Sequence, residues 1–133
     1  MAKRASPEKQ VETAILEYLK LKGLFCFKIN TGGVFDPTKN LFRKAKNPHI
    51  INGVSDILGL FPNGTMFAIE VKTDKTPWSN KTYPTKDQKL FIENINNNKG
   101  VAFVARSVLE VEAVFVKILG PKFSLREHRA LDA

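Results

Sequence analysis

Apolar side chains recur at helical spacing near the start of the chain. Residues 7–22 carry them on one side of a helical wheel and therefore predict an amphipathic helix. Ser6 suits the N-cap, Pro7 suits the first helical position, and Gly23 suits the residue that ends the helix. The short apolar run at 24–29 then predicts a strand.

Strand-like patterns return after a long polar stretch. Residues 30–52 are rich in glycine, proline and cations and predict a loop, which is long enough for a short helix at 39–46. The segments 55–61 and 65–73 predict two strands, and the Pro-Asn-Gly sequence between them at 62–64 predicts a tight turn. The middle of the chain is thus expected to be a β-hairpin.

Two further helices and one strand complete the pattern. A helix is expected at 85–98 with Thr85 as its cap, a strand at 100–105, and a final helix from the cap Ser107 to about residue 119. The order α-β-β-β-α-β-α predicts an α/β fold, in which helices flank a mixed sheet and one helix crosses over before the last strand.

Size and charge narrow the class of protein. A chain of 133 residues is expected to form one domain over 1–133, with its core at about 8–119 and a basic tail at 120–133. Its 21 Lys and Arg outnumber its 13 Asp and Glu, and the resulting charge of +8 favours a polyanionic partner such as nucleic acid. A soluble protein that is basic without such a partner is the equal alternative at this point.

The sequence also indicates a compartment. No segment approaches the roughly 20 apolar residues of a membrane helix, and no apolar run follows the basic N-terminus as in a secretory signal. The one cysteine, Cys26, cannot form an internal disulfide. We therefore expect a cytoplasmic protein that does not contact membranes.

The predicted hairpin brings charged residues together. A turn at 62–64 places Asp56 beside Glu70 or Val71 on the neighbouring strand, and Lys72 follows Glu70 on the same face. Two carboxylates at this distance repel each other unless a cation compensates them. Mg²⁺ is commonly held by one or two carboxylates, with water and phosphate oxygens completing its shell.

These residue types suit metal-dependent hydrolysis of a phosphodiester. Asp56, Glu70 and the backbone carbonyl of Val71 could bind Mg²⁺ (or Mn²⁺), which would polarise the phosphate and activate a water. Lys72 could orient that water or balance charge on the phosphorus. In the competing interpretation, these are ordinary charged residues at strand ends. The opposition of Asp56 and Glu70 across a tight hairpin favours the catalytic interpretation.

Three segments resemble the motifs of a known group of enzymes. Residues 53–57 (GVSDI), 69–72 (IEVK) and 85–88 (TKDQ) are similar to those of the PD-(D/E)XK nuclease superfamily, and in detail to its VRR-NUC family. The resemblance spans about residues 8–115. It departs from the superfamily motif in lacking a proline before Asp56.

The resemblance implies a restriction-endonuclease-like fold and a set of site residues. It implies Asp56 and Glu70 as metal ligands, Lys72 as the catalytic amine, Gln88 as a supporting residue and Glu12 as the N-terminal acidic residue. Stand-alone members of the family, often phage-encoded, tend to be homodimers that cut branched DNA such as Holliday junctions. For a phage protein, the compartment would be the bacterial host cytoplasm.

Glu12 and Gln88 each have a second interpretation. Glu12 lies at the border of the apolar stripe of its helix, but Glu8 lies on nearly the same side, so the assignment is not unique. Gln88 is the fourth residue of a capping box that starts at Thr85, and its side chain also shares a helix face with Phe91.

Basic residues concentrate on both sides of the hairpin in the sequence. Cations there would neutralise DNA phosphates and give little base specificity, although each could equally be a solvated surface charge. The candidate DNA-binding residues are Lys39, Arg43, Lys44, Lys46, Lys75, Lys81 and Lys86. Trp78 could stack on a base or act as a packing residue, and Phe35 and Phe42 could contact a second subunit.

The function predicted from the sequence is therefore a metal-dependent DNA endonuclease, specific for DNA structure. A catalytically silent nucleic-acid-binding module is one alternative, since it needs the charge but not the carboxylate–amine cluster. A sequence-specific or RNA nuclease on the same fold is the other.

Overall fold

The computed structural model describes residues 6–29, 34–36, 41–43, 48–73 and 84–121. The elements in chain order are α1 (Pro7–Leu21), β1 (Phe25–Lys28), β2 (Val34–Asp36), β3 (Leu41–Arg43), β4 (Ile57–Leu60), β5 (Met66–Val71), α2 (Lys86–Asn97), β6 (Val101–Ala105) and α3 (Val108–Leu119).

A four-stranded mixed sheet organises the fold, with the strands in the order β1-β4-β5-β6. Strand β4 pairs antiparallel with both β1 and β5, whereas β6 pairs parallel with β5 after the crossover through α2. The α/β class, the mixed sheet and the crossover predicted from the sequence are confirmed.

The segment between β1 and β4 differs from its prediction as a loop. Strands β2 and β3 form a separate antiparallel pair in which Phe35 lies opposite Phe42. The short helix considered at 39–46 is contradicted, because β3 occupies Leu41–Arg43. Strands of three residues contain too little alternation to be recognised among glycines, prolines and cations, and they are stabilised by pairing with each other.

The helices begin at the predicted caps. The Ser6 hydroxyl accepts a hydrogen bond from the Lys9 N–H at 3.2 Å, with Pro7 in the first turn, and the Ser107 hydroxyl accepts one from the Glu110 N–H at 3.2 Å. Each cap satisfies one of the backbone N–H groups that a helix N-terminus leaves without an intrahelical partner.

The larger part of the core lies between the sheet, α1 and α3. Alternate residues of β5 point to opposite faces, so Phe67, Ile69 and Val71 pack in this core while Ala68 and Glu70 lie on the side of α2. The fully buried apolar side chains of this core are Ile15, Leu19, Ile57, Phe67, Ile69, Val71, Ala105, Val111 and Phe115.

The α2 side of the sheet is thinner. Its buried apolar cluster consists of Ala68, Phe91 and Ala102. Within the part of the chain that the structure describes, no helix is both long enough and apolar enough to span a membrane.

Candidate active site

The candidate site lies where β4 begins and β5 ends. Ile57 is paired with Ile69, so one residue further along the hairpin Asp56 faces Glu70. The Asp56 carboxylate oxygen Oδ2 accepts a hydrogen bond from the Val71 N–H at 2.7 Å. The register predicted from the turn is therefore found within its stated tolerance of one residue.

Glu70 is the centre of the cluster. Its side chain is almost fully buried, and its Oε1 accepts a hydrogen bond from Gln88 Nε2 at 2.6 Å. The amine Nζ of Lys72, itself only 8% exposed, lies 3.7 Å from the same oxygen. The other oxygen, Oε2, is buried and has no hydrogen-bond partner among the described residues. A buried acceptor without a partner is costly, and its presence indicates that the site is built to receive a positively charged or donating group.

Gln88 makes the contacts expected from both of the interpretations that the sequence left open, the capping box and a hydrogen bond to Glu70. Its Oε1 accepts from the Thr85 N–H at 2.8 Å, and its own N–H donates to the Thr85 hydroxyl at 3.2 Å, which completes the capping box. The amide has a donor as well as an acceptor end, so its Nε2 remains able to hold Glu70. The first turn of α2 is thereby tied to the end of β5.

Two residues of the GVSDI segment have structural features that sequence reasoning missed. Gly53 has φ +81°, and a Cβ atom placed there would lie 2.4 Å from the carbonyl carbon of Asp87 and 2.6 Å from the backbone nitrogen of Gln88. Ser55 is buried, and its hydroxyl has no hydrogen-bond partner among the described residues. The glycine was visible only as part of the motif, since its contact with α2 is tertiary.

The electrostatics of Asp56 and Glu70 favour the binding of a proton or a cation. Burial, and after it the neighbouring Asp56 charge, raise the pKa of Glu70 to about 8, and the charge of Lys72 opposes this shift. Burial also raises the pKa of Asp56, while its hydrogen bond from Val71 acts against the shift. The two carboxyl groups therefore titrate as a pair that retains a proton near neutral pH unless a cation replaces it.

Helix α1 contributes two carboxylates on the same side. Glu12 forms an ion pair with Lys28 at 3.3 Å, and its charge contributes to raising the pKa of Asp56. Burial and then the Asp56 charge raise the pKa of Glu8, and the charge of Glu8 in turn raises that of Glu70. Glu8 therefore acts on Glu70, whereas Glu12 acts on Asp56 and is also paired with Lys28.

The predicted DNA-binding residues are only partly within the described chain. Lys86 lies exposed in the first turn of α2, beside the site, and the backbone of Arg43 lies in β3. The other five, together with Trp78, lie outside the described residues: Lys39, Lys44, Lys46, Lys75 and Lys81. Their contact with DNA stays a prediction.

The donor set fits a hard divalent cation. Among the described residues, no group of three or more His, Cys, Asp or Glu side chains is arranged to hold a metal. Mg²⁺ needs only one or two carboxylates when water and phosphate complete its shell, whereas structural zinc requires Cys and His ligands. The unpartnered Glu70 Oε2 next to Asp56 meets the smaller requirement. Val71 contacts Asp56 through its N–H, and the use of its carbonyl as a ligand stays a prediction.

Comparison with known proteins supports the fold. No protein-family model matches the sequence, and no curated protein matches it either. The chain is similar to a solved structure described as a "VRR_NUC domain", with a TM-score of 0.56 and 20% sequence identity. The match covers 85% of this chain and 97% of that one. The protein therefore has the fold of a VRR_NUC domain, which is the restriction-endonuclease-like architecture predicted from the sequence.

Proposed function

We propose that this protein is a nuclease that hydrolyses phosphodiester bonds in DNA and depends on Mg²⁺ or Mn²⁺. The observation that carries the proposal is the buried Glu70 beside Asp56, with one oxygen unpartnered and the other 3.7 Å from the Lys72 amine. The fold shared with a VRR_NUC domain supports the nuclease class. Two carboxylates and an amine at a strand end have no comparable use in a protein that only binds nucleic acid.

Each residue of the cluster has a distinct role in this proposal. Asp56 and Glu70 would hold the cation, with the Val71 carbonyl as a further ligand. When bound, the cation supplies a Lewis acid that polarises the phosphate and lowers the pKa of a coordinated water. Lys72 is restrained by burial and by Glu70, so its positive charge is preorganised for the scissile phosphate or the attacking water. Gln88 keeps Glu70 in place.

The charge of the chain supports DNA as the substrate. A surface with net charge +8 attracts a polyanion through phosphate contacts that carry little sequence information. We propose branched DNA, such as a four-way junction, cut by a homodimer, because two active sites held at a fixed separation can cut two strands symmetrically. The exposed Lys86 next to Gln88 is a described residue suited to contact a phosphate near the site.

The test is cleavage of labelled four-way junction, splayed-arm and linear duplex DNA, with an RNA duplex of the same sequence alongside. Each substrate is incubated with Mg²⁺, Mn²⁺ or EDTA and with wild type, Lys72→Ala or Lys117→Ala. Lys117 is an exposed lysine of α3 and serves as the matched control. We expect metal-dependent cleavage of the junction that Lys72→Ala reduces by at least roughly 100-fold and Lys117→Ala leaves unchanged.

Two results would overturn the proposal in different ways. If every nucleic acid stays intact while the protein binds it with an affinity that falls with salt, the protein is a silent binding module. If RNA is cut in preference to DNA, the nuclease class stands and the substrate assignment fails.

A further inference from the structure

Two lysine side chains pair with carboxylates at the candidate site, and they differ in exposure. The Lys72 side chain is 11% exposed, and its amine lies 3.7 Å from Glu70 Oε1. The Lys28 side chain is 57% exposed, and its amine lies 3.3 Å from Glu12 Oε1. The buried amine has a role in the proposed chemistry. The exposed amine of Lys28 is a cation that this chemistry does not yet use.

The backbone fixes where Lys28 lies. It is the last residue of β1 and is paired with Ile57, the first residue of β4. The next residue, Ile29, donates its N–H to the Asp56 carbonyl at 2.8 Å. Neighbouring strands are roughly 4.8 Å apart, so Lys28 starts one strand away from the segment that carries Asp56. It therefore lies at the same end of the sheet as the candidate site.

The contact with Glu12 fixes the direction of the Lys28 side chain. Residues paired across two strands share a face of the sheet, and Ile57 is buried in the core on the side of α1. Lys28 therefore leaves the sheet on the α1 side, where its amine meets Glu12. The charge of Glu12 contributes to raising the pKa of Asp56, so this carboxylate lies within electrostatic reach of the metal-binding pair. The Lys28 amine is thus held beside the site and remains accessible to solvent.

Lys86 lies on the other side of the buried cluster. It is exposed in the first turn of α2, two residues before Gln88, which holds Glu70. The cluster thus has an exposed lysine towards α1, Lys28, and an exposed lysine towards α2, Lys86. Phosphates follow one another at regular intervals along a nucleic-acid strand. A strand that places one phosphate at the cluster therefore brings its neighbouring phosphates to both sides.

We propose that Lys28 binds a phosphate next to the scissile one, and that Glu12 holds its amine in place until DNA arrives. The inference rests on the proposed function, because it takes DNA as the substrate, and it assigns a contact on the α1 side of the site. An ion pair with a half-exposed member contributes little to stability, so a phosphate can displace Glu12 from the amine. The released charge of Glu12 then adds to the negative potential around Asp56, which favours the cation.

The first experiment measures binding without cleavage. A labelled four-way junction is titrated in EDTA with wild type, Lys28→Ala or Lys28→Arg, and fluorescence anisotropy is read at several salt concentrations. Lys28→Ala should weaken binding about 10-fold at low salt, as expected for one charge-assisted contact. It should also lower the slope of log affinity against log salt by about 1. Lys28→Arg keeps the charge and should retain most of the affinity.

Lys20→Ala is the matched control for the loss of one positive charge. Lys20 is exposed in the last turn of α1, eight residues beyond Glu12 and therefore about 12 Å further along the helix axis. Its substitution should change the affinity by about 2-fold or less, because salt screens an exposed charge at this distance. Circular dichroism checks that each variant is folded.

Metal binding supplies a readout of opposite sign. Mg²⁺ is titrated in the absence of DNA, and its affinity is obtained from the rise in melting temperature. Lys28→Ala leaves the charge of Glu12 without its lysine, so this variant should bind Mg²⁺ roughly 3-fold more tightly at low salt. Lys20→Ala should match wild type, and Glu12→Gln should bind Mg²⁺ more weakly. A lysine that only adds to the surface charge would leave the metal affinity unchanged.

A double variant tests the pairing of Lys28 with Glu12. Glu12→Gln releases the amine and should tighten junction binding by about 3-fold, the size of a partly exposed ion pair. This gain should disappear in a Lys28→Ala background, which has no amine to release. Glu17→Gln removes the same charge from an exposed position of α1 and should give a smaller gain that does not depend on Lys28.

Two results would overturn the inference. The first is a loss of DNA affinity in Lys28→Ala no larger than in Lys20→Ala, and the second is an Mg²⁺ affinity that Lys28→Ala does not raise. Junction binding that depends on Lys28 but leads to no cleavage would contradict only the nuclease proposal. Junction binding and cleavage that Lys28→Ala leaves at the wild-type level would contradict only this contact. A wild type that binds no nucleic acid would contradict both.

Discussion

The two faces of the central sheet have opposite chemistry. On the face covered by α1 and α3, the rings of Phe61, Phe67 and Phe115 form a mutual cluster with centroids 5.0 to 5.2 Å apart. On the face covered by α2, the residues buried next to the sheet are small, and Glu70 and Lys72 are buried with them. The first face is filled by apolar contacts, and the second holds charges in a site with unpartnered polar atoms.

This difference shows how the fold separates stability from chemistry. Alanines at positions 68 and 102 allow α2 to approach the sheet, so that Gln88 can reach Glu70. The cost of burying Glu70 and Lys72 is compensated by the large apolar core on the opposite face. Sites that violate the ordinary preference for apolar interiors are where function is expected.

The largest expected effect on stability comes from a substitution in the apolar core between the sheet, α1 and α3. Phe115→Ala removes a fully buried ring from the three-ring cluster and should lower the free energy of unfolding by about 3–5 kcal/mol, measured by urea denaturation. Ile118→Ala, at a half-exposed position of the same helix, should change it by less than about 0.5 kcal/mol. If both variants lose the same stability, the core is not where the structure places it.

The second largest effect on stability is expected where Gly53 of the GVSDI segment approaches the backbone of α2. Gly53→Ala places a Cβ 2.4 Å from the α2 backbone, so α2 must shift and the Gln88–Glu70 hydrogen bond should weaken. Gly64→Ala is the matched control, because Gly64 also has positive φ but nothing within 4 Å of the added atom. Both variants carry the backbone strain of about 1 kcal/mol, and the clash should cost Gly53→Ala about 2 kcal/mol more.

Thermal unfolding of the two glycine variants measures this difference directly. Equal losses of stability would show that the close approach of Gly53 to Asp87 and Gln88 is not a constraint. DNA cleavage by Gly53→Ala should fall as well, at a temperature where the variant is still folded, whereas Gly64→Ala should keep its activity.

Much of the fold was predictable because local signals and tertiary contacts agree. The Pro-Asn-Gly turn fixes the hairpin register, so the opposition of Asp56 and Glu70 could be predicted to within one residue. The caps Ser6, Thr85 and Ser107 fix where the helices begin. The strands β2 and β3 were missed, because three residues give too little alternation and their pairing is not a local property.

Details of the site depend on distances that no sequence pattern contains. Glu8 and Glu12 are one helical turn apart and share a face, so a helical wheel cannot say which one faces Glu70. The contact of Gly53 with α2 and the burial of Ser55 likewise result from how α2 packs on the hairpin. The two roles of Gln88 were left open because each used only one end of its amide.

The pH dependence of stability should report the protonation of Glu70, the carboxyl group buried on the α2 face of the sheet. The pKa of Glu70 is raised from an ordinary value of 4.5 to about 8 in the folded protein. Between these values the unfolded chain releases the proton and the folded chain retains it, so stability should fall as pH rises, by at most about 1.4 kcal/mol per pH unit. Above about pH 8 both states are ionised and this dependence should end.

Melting temperatures in EDTA at pH 5, 6, 7 and 8 measure this dependence, and Glu70→Gln should flatten it. Taking the difference between the two proteins cancels the other titrating groups. The effect of Mg²⁺ should have the opposite sign, since the cation replaces the proton and should stabilise the wild type more at pH 8 than at pH 6. A wild type as insensitive to pH as Glu70→Gln would show that Glu70 is already ionised at pH 5.

The smallest expected effect is the difference between substitutions of Glu8 and Glu12, the two carboxylates of α1. The charge of Glu8 raises the pKa of Glu70, whereas Glu12 acts on Asp56 and is paired with Lys28. Glu8→Gln should therefore lower the pKa of Glu70, read from its carboxyl carbon by NMR, and Glu12→Gln should leave it nearer to the wild-type value.

If Glu70 holds the cation as proposed, the cleavage rates of the two variants should follow the same order, because a residue that tunes a metal ligand commonly contributes about 10-fold to activity. We expect Glu8→Gln to lower the rate by roughly this factor, and Glu12→Gln to lower it less, since its loss mainly frees Lys28. The opposite order in both measurements would assign the N-terminal acidic role to Glu12, as the motif first indicated. A change in the rate without a change in the pKa of Glu70 would mean that Glu8 acts on the substrate or the cation directly.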